Sequence, residues 1–282
     1  MSLGIAIKSP EGIVLAAESR VTLSASVPYS QETINVNFDN VTKVLSLYDG
    51  MEQHNHVGFV TYGQATIGSR TAQSFMPEFE EKLAGTQRLS IEQYAHELSE
   101  FFTAQWNEAV ERGELPQDYN GTDMAFVIGG FDENAAYGRV FQIDIPGSPM
   151  PREHNSEEGL FGFTWGGQRE VMDKLVQGYD ERLLEILFHK TNLTEQQITD
   201  LLPHFRALQM QIPLTAMPLQ DVVDLAIFFI RTTITAQTLT IGIRGCGGPI
   251  DVATITRSDG LRWIQRKELR GERDLSNYER RL

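Results

Sequence analysis

Several residues in this sequence are of types that do chemistry. Cys246 is the only cysteine, held in Gly245-Cys246-Gly247-Gly248. It is either a nucleophile or a small packed residue, and with no histidine evident beside it packing is the commoner role. His54 and His56 flank Asn55. That alternation suits two metal ligands on one strand face, but no further ligand signal accompanies it, so a solvated loop is expected. Lys43 stands among the apolar residues of Thr42-Lys43-Val44-Leu45-Ser46-Leu47. A cation there needs a partner, and the resulting pair is either structural or catalytic. Glu18 follows the apolar run Ile13-Val14-Leu15-Ala16-Ala17 and, taken alone, reads as the polar end of a strand. Trp165-Gly166-Gly167-Gln168, read as opening a helix, lacks the Gly-Lys-Ser/Thr of a phosphate loop. The glycines around Cys246 run into a strand and make no dinucleotide fingerprint.

The elements that must position these groups are dominated by hairpins. Leu3 to Ile7 and Ile13 to Ala17 flank the turn Ser9-Pro10-Glu11-Gly12, so a strand begins almost at the first residue. Val21 to Asn40 reads as a loop with an edge segment at Thr33 to Val36. Thr42 to Leu47 and Val57 to Thr61 read as strands around Asp49-Gly50. Helices are predicted from about Thr66 to Leu83 and from Ser90 to Gly113. The second has a Ser90/Gln93 capping box and an apolar stripe through Ile91, Tyr94, Ala95, Leu98, Phe101 and Phe102. Strands return at Asp123 to Gly130, Arg139 to Asp144 and Leu160 to Thr164. Helices fill most of Gln168 to Gln237, and Ile250 to Ile255 with Leu261 to Ile264 close the chain. Strand pairs separated by helical blocks imply antiparallel sheets covered by helices, an α+β arrangement in a single domain over residues 1–265. A helical insertion is expected about 188–218 and a charged helix or tail over 266–282.

Bulk properties narrow the classes. The chain has 282 residues with a formal net charge of -14, 41% hydrophobic and 22% charged residues. Such acidity opposes nucleic-acid binding, and the basic residues from Arg262 to Arg281 are interleaved with acidic ones. A single cysteine excludes an internal disulfide framework and a cysteine zinc cluster, which fits a reducing cytoplasm. No signal peptide is evident. The longest apolar stretch, Val222 to Ile234, is interrupted by Asp224 and Arg231, so no membrane association is expected.

Six stretches together resemble the proteasome subunits, β-like members of the N-terminal-nucleophile hydrolase superfamily. Gly4-Ile5 with Gly12 to Arg20 is similar to that family's strand–turn–strand ending in Ala-Asp/Glu-x-Arg. Thr42 to Leu47 resembles its lysine-bearing strand, and Tyr62-Gly63-Gln64-Ala65 the glycine opening its first helix. Phe126-Val127-Ile128-Gly129-Gly130-Phe131-Asp132, Val140 to Asp144 and Gly247 to Thr256 resemble its later strands. The resemblance implies a four-layer αββα sandwich of two mainly antiparallel sheets between helical layers.

It also implies a chemistry. In catalytic members the first residue of the mature chain attacks a peptide carbonyl, and its own α-amine takes the hydroxyl proton. A hydroxyl is a weak nucleophile until a base assists it, and an α-amine of pKa about 7.7–8.0 suits that task. By resemblance Ser2, exposed by removal of Met1, is the nucleophile, Lys43 the adjacent cation and Glu18 the carboxylate that fixes it. Backbone N–H groups near Val60 and Gly167 are the expected oxyanion donors. The chain departs from the family in three places. Only Met1-Ser2-Leu3 precedes Gly4, which sets Ser2 about 6–7 Å deeper along the strand. An aspartate expected within Thr238 to Gly245 is missing, and Gly166 replaces a serine. The expectations are therefore a self-assembling ring with peptide or amide hydrolysis at Ser2, a silent scaffolding subunit, or a small-molecule amidase of the same superfamily. None requires a cofactor or metal, and the sequence leaves open which unfoldase, if any, is a partner.

Overall fold

The computed structural model of the chain describes residues 2–26, 33–47, 52–157, 159–242, 244–269 and 271. The turn expected at Asp49-Gly50 and most of the charged segment 266–282 lie outside the described residues. The first half runs β1 (Leu3–Lys8), β2 (Ile13–Glu18), β3 (Val21–Ser26), β4 (Thr33–Phe38), β5 (Val44–Leu45), β6 (Val57–Gly63), β7 (Thr66–Ile67), β8 (Arg70–Thr71), α1 (Ala72–Leu83) and α2 (Ile91–Glu111). The second half runs β9 (Met124–Gly130), β10 (Arg139–Ile145), β11 (Ser148–His154), β12 (Gly162–Gly167), α3 (Glu170–Val176), α4 (Glu181–Lys190), α5 (Glu195–Arg206), α6 (Leu219–Leu239), β13 (Ile250–Thr256) and β14 (Gly260–Gln265).

Ten strands form two five-stranded antiparallel sheets. One has the order β12-β1-β2-β13-β14, the other β11-β10-β9-β6-β5. β1 and β2 are buried at every position, as strands covered on both faces must be, and for that reason they read as unbroken apolar runs. Three apolar clusters follow from the alternation of side chains along these strands. Leu3, Ile5 and Ile7 of β1 pack with Val222, Ala226, Phe229 and Ile230 of α6. On the opposite face, Ala6 joins Leu15 and Ala253 with Val60 and Val127 of the second sheet. The other face of the second sheet, through Phe59, Phe126 and Ile143, packs on Phe79 of α1 and on Tyr94, Leu98 and Phe102 of α2. α2 begins at Ser90 with the predicted capping box to Gln93, and Gly113 follows it at φ +72°. α6 is long and apolar enough in composition to span a membrane, but in this fold its apolar stripe is the cover of the first sheet.

Four readings need correction. Val21–Ser26 and Thr33–Phe38 pair as a hairpin rather than forming a loop. The stretch before α1 is the small hairpin β7–β8, and the helix starts at Ala72. β11, for which the sequence pattern gave no element, contains Pro149 and Pro151. It pairs on one side only, where a missing N–H costs nothing. Trp165-Gly166-Gly167 ends β12 instead of opening a helix. The helical hairpin of the second half is α4 with α5, beginning at Glu181.

Candidate active site

Ser2 heads the face of β1 that looks into the space between the sheets, in register with Gly4 and Ala6. Gly4 is required there: a Cβ would lie 2.5 Å from Val60 Cγ1 and 2.8 Å from Tyr62 Cδ1. That close approach brings the start of β1 to the end of β6. The Gly63 N–H donates to Ser2 Oγ at 3.1 Å, and the Gln168 N–H donates to the Ser2 carbonyl at 2.7 Å. Ser2 itself is only 3% exposed.

Glu18 closes β2 and is the hub of the site. Its Oε1 accepts from the Leu3 N–H at 3.1 Å and from Lys43 Nζ. Its Oε2 accepts from the Arg20 N–H at 2.7 Å and the Gly247 N–H at 3.0 Å. A buried carboxylate with four donors has no unmet demand. Lys43, just before β5, also donates to the Arg20 carbonyl. Burial pulls the Lys43 ammonium below the ordinary lysine pKa, and the charge and hydrogen bond of Glu18 oppose that fall. Arg20 is held away from the pair by Asp39, through Nε at 2.6 Å and Nη2 at 2.8 Å. Ser2, Lys43, Thr61, Gly63, Arg20 and Thr71 line one small, open cleft.

The structure therefore brings Ser2, Glu18 and Lys43 together, because antiparallel pairing sets the start of β1 beside the end of β2, and Lys43, just before β5, reaches the same edge. The residue counted off as a displacement along β1 leaves Ser2 Oγ at the Gly63 N–H and in the cleft with Lys43. Val60 is a fully buried residue paired with Val44 and Val127, three positions short of the N–H that meets Ser2. Gly167, at φ +91°, lies directly against the Ser2 carbonyl. Gly63 was quoted in the sequence only as a helix-opening glycine. It has φ +84°, and a Cβ there would collide with the Asp123 carbonyl. A glycine at the end of an apolar strand, the residue that takes a positive φ without strain, was the signal available for it.

Cys246 packs in the α6-facing core, and burial, assisted by Glu18, pushes its thiol up to about 12. It has the environment of an inert thiol. His54 and His56 are buried, against the expected solvated loop. His54 bonds the Tyr94 hydroxyl, and His56 meets the Leu89 carbonyl at 3.0 Å. Among the described residues no three His, Cys, Asp or Glu are grouped to hold a metal. Sequence reasoning missed Gln168 and Gln237, whose side chains bond at 3.1 Å beside Ser2.

With α+β architecture, two antiparallel five-stranded sheets and a cleft lined by Ser2 and Lys43 at one end, the chain has a fold similar to that of Anbu. Similar solved structures include an Anbu (Gly-1) mutant from Hyphomicrobium sp. strain MC1 and Anbu, described as an ancestral β-subunit, from Yersinia bercovieri. The first has a TM-score of 0.53 and 16% identity over 94% of this chain and 87% of its own. The second has 0.51 and 15% over 93% and 86%. No family model matches the chain, and no curated protein does. These findings correct the resemblance to a proteasome subunit: the likeness is to Anbu, and at such identity it establishes a shared fold rather than membership of the proteasome subunits.

Proposed function

We propose that the chain is an N-terminal-nucleophile amide hydrolase whose nucleophile is Ser2. One observation carries the reading: Ser2 Oγ stands at a backbone N–H donor, in a cleft shared with a lysine whose carboxylate partner is completely buried. The three apolar clusters support a four-layer αββα sandwich as the scaffold.

Cleavage of the Met1–Ser2 bond frees the Ser2 α-amine. That amine takes the Oγ proton as Oγ bonds to the substrate carbonyl carbon. The carbonyl oxygen becomes an oxyanion within reach of the Gly63 N–H, since it is attached to the carbon that Oγ has bonded. The protonated α-amine gives its proton to the leaving amine as the C–N bond breaks, leaving an ester on Ser2. Water then hydrolyses the ester by the same route. The ammonium of Lys43 favours negative charge developing on Oγ, and Glu18 sustains that ammonium against burial. Peptide amides are the substrate class of this reading. Self-association belongs to it as well, supported by apolar side chains exposed on the surface at Ile186, Phe188, Leu208 and Met210.

Intact mass and peptide mapping after treatment with a hydroxyl-directed electrophile test the proposal. The expected result is loss of Met1 and a label on Ser2, with Ser2→Ala abolishing both labelling and hydrolysis of a peptide-amide panel. Retained Met1, or a label that survives Ser2→Ala, overturns it. Sedimentation gives the particle mass, and a monomer removes the self-association.

A further inference from the structure

Two amide side chains lie where neither an acid nor a nucleophile is needed. The Gln168 N–H holds the Ser2 carbonyl at 2.7 Å. The side chain of the same residue accepts, through Oε1, a hydrogen bond of 3.1 Å from Gln237 Nε2 near the end of α6. Gln237 Oε1 in turn accepts the Cys246 N–H at 2.9 Å. The next residue along, Gly247, donates its N–H to Glu18 Oε2 at 3.0 Å. A backbone N–H can only donate, so Cys246 fixes which atom of the Gln237 amide is the oxygen. The nitrogen must then face Gln168. The chain of bonds has a defined polarity from end to end.

We infer that Gln168 and Gln237 are positioning residues for the Ser2 site: their amide–amide bond ties the backbone that holds Ser2 to the backbone that holds Glu18. The inference rests on the reading of Ser2 as nucleophile and adds the device that sets its distance from the Glu18–Lys43 pair. The backbone bonds at the two ends belong to different segments, the residue just after β12 and the stretch before β13. The Glu18 carboxylate already bridges the start of β1 and the second of these through the Leu3 and Gly247 N–H groups, and the amide pair adds a second link on the α6 side.

The polarity of the link supplies a test with an internal control. Gln168→Glu keeps an acceptor oxygen facing Gln237 Nε2. Gln237→Glu replaces the donor with a second oxygen, which then opposes Gln168 Oε1. Both variants add one negative charge at nearly the same spot, so charge alone affects them alike. The expected result for Gln237→Glu is a fall of about tenfold in kcat on a peptide amide with KM within about twofold. Amide hydrogen exchange at Gln168 and Gly247 should accelerate about tenfold in the same variant. Gln168→Glu, which keeps the acceptor, should move each quantity by a clearly smaller factor than Gln237→Glu. Equal effects of the two variants, a change in KM alone, or unaltered exchange in Gln237→Glu overturns the inference. Exchange is read without turnover. If the wild-type protein shows no Ser2-dependent hydrolysis, the catalytic reading fails while the exchange pattern still decides whether the amide pair couples the two segments.

Discussion

The two ends of β1 each bury a cation on the face between the sheets, and they use it differently. At the Ser2 end, Lys43 is paired with Glu18, a carboxylate that bonds no other cation among the described residues, and Lys43 lines a cleft. At the far end, Lys8 is 3% exposed, and its Nζ donates to the Asn155 carbonyl at 2.8 Å. The nearest carboxylate there, Glu153, is bonded to Arg139 at 2.7 Å, and Arg139 also holds Asp132. Burial pulls the Lys8 pKa down, weakly opposed by Glu153 and reinforced by Arg139. A buried lysine is thus no sign of a site in itself. The discriminating feature is a carboxylate that belongs to that lysine, beside open space and a nucleophile.

Replacing each lysine by an apolar residue of similar length gives the largest expected contrast. Lys43→Met strands Glu18 as a buried unpaired charge, which should cost about 3–5 kcal/mol in a denaturant titration and abolish Ser2 labelling. Lys8→Met removes a charge that has no carboxylate of its own and leaves one carbonyl without a donor. Its stability should stay within about 1 kcal/mol of the parent, with labelling intact. Equal losses would end the distinction between the two ends.

A middle-sized effect is expected from Gly4→Ala. The added methyl meets the tips of Val60 and Tyr62 between the sheets, an overpacking of about 1–3 kcal/mol. Because the strain is taken up two residues from Ser2, the rate of Ser2 labelling should fall more than the unfolding midpoint would indicate. A labelling rate that tracks stability alone would separate β1 packing from the site.

The smallest effect is in pH. The Lys8 pKa is depressed in the folded state, so the folded protein releases a proton that the unfolded chain keeps. The resulting penalty on folding is complete below the depressed pKa. It fades as pH rises towards the ordinary lysine value of 10.5. The stability of Lys8→Met relative to the parent should therefore fall between neutral pH and about pH 10, by less than about 1.4 kcal/mol per pH unit. A difference that is constant with pH would mean that Lys8 carries the same proton in both states.

Much of the scaffold was legible from local pattern. The apolar runs of β1 and β2, the strands β9, β10, β13 and β14, and α2 with its capping box lie where alternation, helical period and cap chemistry put them. β11 was not legible, because its prolines are acceptable only on a strand paired along one side, which is a property of the sheet. The hairpin β3–β4 lacks a strong turn signal among its described residues. Its exposed Leu23, Ile34 and Phe38 break the usual core pattern. The burial of His54 and His56 depended on Tyr94, forty and thirty-eight residues away along the chain, arriving from α2.

For the site, the sequence by itself determined which groups were on offer: a serine before an apolar strand, a glutamate closing the next one, and a lysine set among apolar residues. Each is a local fact, written in residue type and period. Tertiary structure alone decided that Gly63 supplies the N–H at Ser2 Oγ, that Glu18 takes all four of its donors, and that Gln168 and Gln237 meet. Those contacts join segments 61, 229 and 69 residues apart. No period within a strand or helix encodes such a distance. It is fixed when the apolar faces of two sheets and α6 close on one another, and the polar ends of the strands are carried into register with them.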